Sequence, residues 1–152
     1  MSSRSKENVH ILFESVFAIY DFWDGPRTGI AEFMNAPHFF ECVFDQDKDE
    51  WSNSFFLIPL GPEAFVAGMD TWNIFLRWRA AFDAGKTSLD THPALPEDRT
   101  KYEESSRILK GEISSGRGNL IQRLGQFEHV EKPDARGLLA SWRVRWSGPP
   151  GK

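Results

Sequence analysis

The chain has 152 residues, a net charge of -4, 40% hydrophobic residues and a single cysteine. This length predicts one domain over residues 1–152, with 1–8 and 148–152 disordered. It is enough to bury a core without disulfides or metal ions. The composition excludes a disordered chain, and the negative net charge disfavours a nucleic-acid partner. The charge is uneven, since residues 1–76 carry a net -8 and residues 77–152 a net +4.

The lone cysteine and the apolar segment near the N-terminus bear on localisation. Cys42 has no partner in the chain for a disulfide, which predicts a reducing, cytoplasmic compartment. The apolar segment 9–23 is interrupted by Glu14 and is too short to span a bilayer. We therefore expect no membrane association.

The first half of the chain shows strand-like alternation separated by turn residues. Residues 13–20 alternate with a period of two, and the turn Asp24-Gly25-Pro26 follows. Further strands are predicted at 27–33, 38–44 and 51–60, the last two joined by the charged loop 45–50. Four short strands with tight turns predict an antiparallel β meander or partial barrel.

The second half begins with helical spacing and returns to strands. A helix is predicted over 62–84, with Pro62 in its first turn and Gly85 as a left-handed cap. A more polar helix is predicted over 97–113, followed by a flexible break at 114–119. A C-terminal strand pair, 120–130 and 137–147, joined by a turn at 132–134, should rejoin the sheet. The predicted fold class is α+β: the meander or partial barrel packed with two α-helices.

The stretch YDFWDGPRTG, residues 20–29, is the first candidate site. Aromatic rings flank two carboxylates and an arginine, a mixture that suits ligand or partner binding. The structural alternative is that Asp24 and Arg27 pair across their own turn, at little energetic benefit. His38 opens the next strand, about 20 Å away along the intervening strand, so convergence requires strong curling of the sheet. The candidate binding residues are Tyr20, Asp21, Trp23, Asp24, Arg27, His38 and Trp51.

Patterns for catalysis and for metal or cofactor binding are weak. Cys42 and His38 would lie about 13 Å apart along one strand, too far for a nucleophile–base pair. The acidic run at 45–50 lacks the glycine and glutamate of an EF-hand loop. The sequence therefore predicts no catalytic residue, no metal and no cofactor, and it leaves open whether the protein is an enzyme.

Two segments combine aromatic residues with arginines. Residues 72–82 place rings at helical spacing beside Arg77 and Arg79, a pattern that fits either base stacking or, more simply, core packing. In the strand WRVRW, Arg143 and Arg145 should point outward. They are the candidate residues for the alternative of single-stranded nucleic-acid binding.

Three further stretches carry a resemblance to a known group. The chain contains DGPRTGIAEF, then APHFF, then HPALPEDR. It resembles small uncharacterised bacterial proteins that share DGPR-x-G-x-A, PH-F and HPALP-x-DR stretches. The likeness covers roughly residues 16–110. It implies a bacterial origin and a single domain, and it implies no activity and no functional residues.

Three functions are compatible with these patterns. The first is a protein-interaction module, adaptor- or immunity-like, because the rings and the acidic first half suit a protein partner. The second is a small-molecule or nucleotide-binding protein or enzyme with an aromatic pocket between the sheet and the helix at 62–84. The third is the single-stranded nucleic-acid binder.

Overall fold

The computed structural model describes residues 12–130 and 141–149. Its strands are β1 (Glu14–Phe22), β2 (Pro26–Phe33), β3 (Ala36–Asp45), β4 (Glu50–Pro59), β5 (Ile121–His129) and β6 (Trp142–Ser147). Two α-helices lie between β4 and β5, α1 (Pro62–Asp83) and α2 (Arg99–Gly116). Single 3-10 turns occupy Leu89–Thr91, Pro96–Asp98 and Arg117–Asn119. The predicted α+β class with two helices is confirmed.

Contacts divide the chain into two compact units. The barrel unit comprises residues 1–59 and 116–152, and the helical unit comprises residues 60–115. That the whole chain is one domain stays a prediction. The expected disorder at 1–8 and the turn at 132–134 lie outside the described residues.

The six strands pair antiparallel in chain order, and β6 returns to β1 to close a barrel. The meander and the C-terminal strand pair are thus confirmed, and the sheet is a closed barrel. Strand β1 contains register shifts after Val16 and again around Asp21. Such bulges bend a strand and increase its twist, which is what closing a sheet of only six strands requires.

Four aromatic rings fill the barrel interior: Phe40, Phe55, Phe127 and Trp146. Their centroids lie between 5.0 and 6.3 Å apart, mostly in tilted or edge-to-face arrangements. These geometries are the ones that aromatic quadrupoles favour. Gly125 makes room for the cluster, because a Cβ there would lie 2.6 Å from the ring of Trp146. The high aromatic content of the sequence is therefore partly explained by this core.

In the helical unit, α1 begins and ends close to the predicted residues. Pro62 occupies its first turn, and Gly85 follows its end with φ of 73°. The N–H of Lys86 donates to the carbonyl of Ala81 at 2.8 Å, a bond that closes the last turn. The predicted left-handed cap at Gly85 is confirmed.

The aromatic residues of α1 form a stacked row along the helix. Successive ring centroids of Trp72, Phe75, Trp78 and Phe82 lie 5.0 to 6.1 Å apart with small interplanar angles. The indole N–H of Trp78, a buried side chain, donates to Thr91 Oγ1 at 2.8 Å. Arg77 and Arg79, the neighbouring cations, are ion-paired with Asp98 and Asp83 respectively. These contacts favour packing over base stacking as the role of the row.

Helix α2 extends further than the sequence predicted. The expected flexible break at 114–119 is wrong, since α2 runs to Gly116 and a 3-10 turn follows at once. Gly116 also has a packing role, because a Cβ there would lie 2.5 Å from Ile58 Cγ2. The glycine therefore marks a close approach to β4 rather than a flexible linker. Within the described residues, neither helix is long and apolar enough to cross a membrane.

His38, which lies in β3, should make the free energy of unfolding depend on pH. Its ring packs edge-on against Phe33, and burial lowers its pKa from 6.5, although a 2.9 Å contact between Nδ1 and the Ala36 carbonyl opposes the shift. The unfolded chain therefore binds a proton more readily, and stability falls as the pH drops below about 6.5. We expect the melting temperature to decrease between about pH 7.5 and 5.5, and less so in His38→Gln. Equal decreases in both proteins would contradict this role.

Candidate binding site

Strands β4 and β5 are paired over only part of their length. Their ladder covers Ser54–Leu57 and Ile121–Leu124. Strand β4 nevertheless starts at Glu50, and Glu50 and Trp51 pair with β3 ahead of a register shift. Strand β5 continues to His129 and is paired with β6 along that stretch. Glu50–Asn53 and Gly125–His129 therefore diverge, and the opening between these two runs is called the cleft below.

A cavity of about 920 Å³ occupies the cleft. Its walls include the six consecutive residues Leu124–His129. Successive side chains of a strand point to opposite faces, so a cavity facing one side of β5 would touch alternate residues only. Contact with all six means that the edge of β5 borders the cavity, and Ser52 and Asn53 border it from β4.

Aromatic side chains form much of the cavity wall. Phe55 and Phe127 belong to the interior ring cluster and also line the cavity. Trp142 lies between two further rings, with centroids 5.6 Å from Phe22 and 3.9 Å from His129. Flat rings in the wall of this cavity provide an apolar surface for a flat ligand group.

Arg27 places a guanidinium at this wall. Side chains of a strand alternate between its two faces, so Arg27 shares a face of β2 with Gly29 and Ala31. Ala31 is buried in the barrel, and the side chain of Arg27 therefore points toward the interior as well. Its Nη1 lies 3.6 Å from Cys42 Sγ, and its Cζ lies 5.0 Å from the centroid of the Trp51 ring. The cation is thus held over an aromatic face.

The loop before β2 fixes the orientation of Arg27. Nε donates to the carbonyl of Trp23 at 2.7 Å, and Nη2 donates to the carbonyl of Asp24 at 2.9 Å. Asp24 and Gly25 have φ of 57° and 132°, left-handed values that bend this loop sharply. The ion pair between the side chains of Asp24 and Arg27, which the sequence analysis offered as an alternative, is not formed. Arg27 donates to the main-chain carbonyl of Asp24 and not to its carboxylate.

Arg27 keeps an uncompensated charge. Among residues 12–130 and 141–149, no carboxylate oxygen lies within ion-pair distance of its guanidinium. Its three bonds, to Trp23, Asp24 and Cys42, use three of the five N–H donors of an arginine. Within the part of the chain that the structure describes, two donors remain for an anion at the cavity wall.

Of the other charged side chains that line the cleft, Glu128 alone is ion-paired within the described residues. Arg143 donates to Glu128 Oε1 at 3.0 Å through Nε, and Arg145 donates to the side-chain oxygen of Gln126. Asp24 contributes one exposed carboxylate at the rim. With Glu128 neutralised, Arg27 and Arg145 outweigh Asp24, so the cleft favours an anion.

Cys42 behaves as a neutral side chain in this setting. Burial raises the pKa of its thiol, and the hydrogen bond and positive charge of Arg27 oppose only part of the rise. Its Sγ also lies 3.2 Å from the Ser52 carbonyl, to which the thiol donates. A neutral thiol is a poor nucleophile, so Cys42 supports the position of Arg27 rather than offering a reactive group.

The sequence-predicted site residues fall into two places. Trp23, Asp24, Arg27 and Trp51 meet at the cleft end of the barrel through the contacts of Arg27. Asp21 lies beside them in β1, where its Oδ2 accepts a 2.6 Å bond from the Thr28 hydroxyl.

Tyr20, half-buried, precedes Asp21 in β1. His38 is separate, because it pairs with Ala31 near the other end of the β2–β3 ladder. The sheet curls into a barrel without bringing His38 to Arg27.

Several cavity residues were not among the sequence candidates. Phe22 lies inside the very stretch that the sequence marked, whereas Phe55, Phe127 and Trp142 come from three other strands. The alternation in the strand WRVRW indicated which side chains of β6 face inward. It carried no information on where the β4–β5 pairing stops, so the cleft was not predictable.

The two arginines of the nucleic-acid alternative make contacts within the chain. Arg143 and Arg145 lie 4.0 and 5.1 Å from the centroid of the Phe13 ring, in addition to their bonds to Glu128 and Gln126. Phosphate binding would compete with these contacts.

Within the described part of the chain, no group of three histidine, cysteine, aspartate or glutamate side chains could hold a metal ion. No family model, no curated protein and no solved structure matches this chain. The resemblance to small bacterial proteins therefore stays a prediction.

Proposed function

We propose that this protein is a binding module whose site is the cleft between β4 and β5. The group it binds combines a negative charge with a flat apolar body. The observation that carries this proposal is the guanidinium of Arg27, held by the carbonyls of Trp23 and Asp24 beside an aromatic cavity of about 920 Å³.

The geometry around Arg27 supports anion binding in two ways. Its side chain is already oriented, so an anion meets a donor whose conformational entropy has been lost on folding. Its remaining N–H donors can form charge-assisted hydrogen bonds, which are roughly twice as strong as neutral ones. The half-buried ring of Trp51 shields one face of the cation from water, which strengthens the attraction.

Two sources could present this chemistry. A protein partner would offer an acidic side chain next to an apolar one, as the adaptor- or immunity-like interaction module expected from the sequence requires. A small aromatic acid would offer both groups in one molecule. For the small-molecule hypothesis, the barrel cleft replaces the pocket between sheet and helix as the proposed site.

A bacterial, cytoplasmic setting is part of the proposal. It rests on the resemblance of the sequence and on its single cysteine, Cys42, which is a free thiol in the structure. Free buried thiols are compatible with a reducing compartment.

A pair of fluorescent probes tests the anion site. 8-Anilinonaphthalene-1-sulfonate and N-phenyl-1-naphthylamine share an aromatic scaffold, and only the first carries a sulfonate. We expect Arg27→Gln to weaken binding of the sulfonate probe about tenfold, equivalent to ~1.4 kcal/mol, and to leave binding of the neutral probe nearly unchanged. Arg27→Lys should retain part of the affinity because it keeps the charge.

The matched control is Arg107→Gln, which removes an exposed arginine from α2. It should leave both probes unaffected. Circular dichroism verifies that each variant is folded, because loosely folded chains also bind the sulfonate probe. Equal losses for both probes in Arg27→Gln, or no loss for the sulfonate, would overturn the proposal.

A further inference from the structure

The walls of the cleft are unusual because they are strand edges. Glu50 and Trp51 pair with β3 on one side, ahead of a register shift at Ser52 and Asn53, and Gly125–His129 pairs with β6 on one side. Among residues 12–130 and 141–149, neither run has a ladder partner on its cleft side, since the β4–β5 ladder stops at Ser54 and Leu124. In an antiparallel strand, alternate residues direct both N–H and C=O to the same side. Part of the main chain of each run therefore points into the cavity.

We propose that the occupant of the cleft is an extended peptide segment of a partner protein, inserted as an additional strand between β4 and β5. This inference rests on the proposed function and specifies its ligand class. An unpaired edge is a template for strand addition. Two edges facing one cavity would hold a single strand from both sides, at spacings of about 4.8 Å. The inserted strand would continue the barrel wall where the β4–β5 ladder ends.

The charges and rings of the cleft define the chemistry of this segment. Side chains of an inserted strand would alternate between the barrel interior and the outside. Inward positions would meet Phe127, Trp142 and the guanidinium of Arg27, which suits apolar residues flanking one aspartate or glutamate. Outward positions would face Gln126 and Arg145. The five residues Gly125–His129 match a peptide stretch of about five residues, or roughly 16 Å.

The rim of the cleft supports a protein partner rather than a small molecule. Trp23, whose carbonyl accepts the hydrogen bond from Arg27 Nε, has a side chain that is 73% exposed. Phe44, which packs on Trp51, is 38% exposed. Large exposed rings at the mouth of a site are typical anchors of protein interfaces. A small ligand held inside the cavity would leave both rings uncovered.

A selected peptide provides the probe for this inference. The full chain is used to select from a phage-displayed library of random linear dodecapeptides, and enriched sequences are synthesised. We expect them to contain an acidic residue between apolar ones and to bind Arg27→Gln at least about tenfold more weakly, as loss of a charge-assisted bond implies. Hydrogen exchange should slow within 50–53 and within 125–129 in the complex, at the alternate residues whose N–H groups face the cleft, because strand addition pairs those amides.

N-methylated versions of the best peptide separate insertion from addition to one edge. One version carries N-methyl groups on the odd positions and the other on the even positions, with side chains unchanged. Insertion between two strands uses both sets of N–H groups, so each version should bind at least about tenfold more weakly. A large loss for one version only would show pairing with a single edge, and no loss for either would show that the main chain is not used. Both results would overturn the inference.

The probe experiment on Arg27 distinguishes a failure of strand insertion from a failure of anion binding. If no peptide is enriched, or if enriched peptides protect neither run, strand insertion is wrong. Should the sulfonate probe still depend on Arg27 in that case, the anion-binding cleft stands with a small aromatic acid as its ligand. If the probe shows no dependence on Arg27, both proposals fall together.

Discussion

Replacing Gly29 with alanine should prevent the barrel from reaching its native stability. A Cβ at this position would lie 2.1 Å from the Ala18 carbonyl oxygen and 2.8 Å from two atoms of the Phe40 ring. The first obstacle is main chain of the neighbouring strand β1, and the second is a ring with no solvent exposure. Neither can move aside at low cost, so we expect a loss of about 3 kcal/mol or more in the free energy of unfolding.

Urea denaturation of the full chain measures this loss, and Gly111→Ala is the matched control. Gly111 lies inside α2, where a Cβ would meet no atom within 4 Å. Alanine should therefore stabilise the helical unit by about 0.5–1 kcal/mol. If the free energy of unfolding of Gly29→Ala lies within about 1 kcal/mol of that of the parent, the β1–β2 ladder can open to admit a methyl group.

Truncating Phe40 to alanine is expected to have the second large effect. Its ring lies 5.9, 5.0 and 6.3 Å, centroid to centroid, from Phe55, Phe127 and Trp146, and it has no exposed surface. Removing it leaves a void in the middle of the ring cluster, which the closed barrel cannot collapse to fill. We expect a loss of about 3–5 kcal/mol.

Phe44→Ala is the matched truncation in the same strand. Phe44 is 38% exposed and packs edge-on against Trp51, with the two ring centroids 5.1 Å apart. Its loss should cost only about 1 kcal/mol. Urea midpoints and slopes of both variants test the ranking, and similar losses at Phe40 and Phe44 would mean that the ring cluster does not hold the barrel together.

The strands were predictable because local chemistry determines them. Alternating apolar residues and turn sequences such as Asp24-Gly25-Pro26 located β1 to β4 within a few residues. Helix α1 followed from Pro62, Gly85 and the ring spacing between them. Barrel closure depends on pairing between Glu14 and Val144, a contact across most of the chain. Local patterns cannot encode such a contact.

The candidate site was predictable in part. The sequence identified Arg27 and its loop as a polar group among rings, but it offered an ion pair with the Asp24 side chain where the structure has a bond to the Asp24 carbonyl. That difference depends on the left-handed conformation of Asp24 and Gly25, which sequence patterns indicate only as a turn. It also decides the function proposed here, since a neutralised Arg27 would attract no anion.

The short β4–β5 ladder also constrains the order in which the barrel assembles. Leu57 and Ile121 are adjacent in the ladder although the whole helical unit separates them along the chain. The hairpins β1–β2, β2–β3 and β3–β4 form over short loops. Pairing of β4 with β5 closes a loop of about sixty residues, which has a greater entropic cost. High contact order of this kind slows folding. The first four strands can therefore form a sheet during synthesis, and the seam beside the cleft joins only after β5 has left the ribosome.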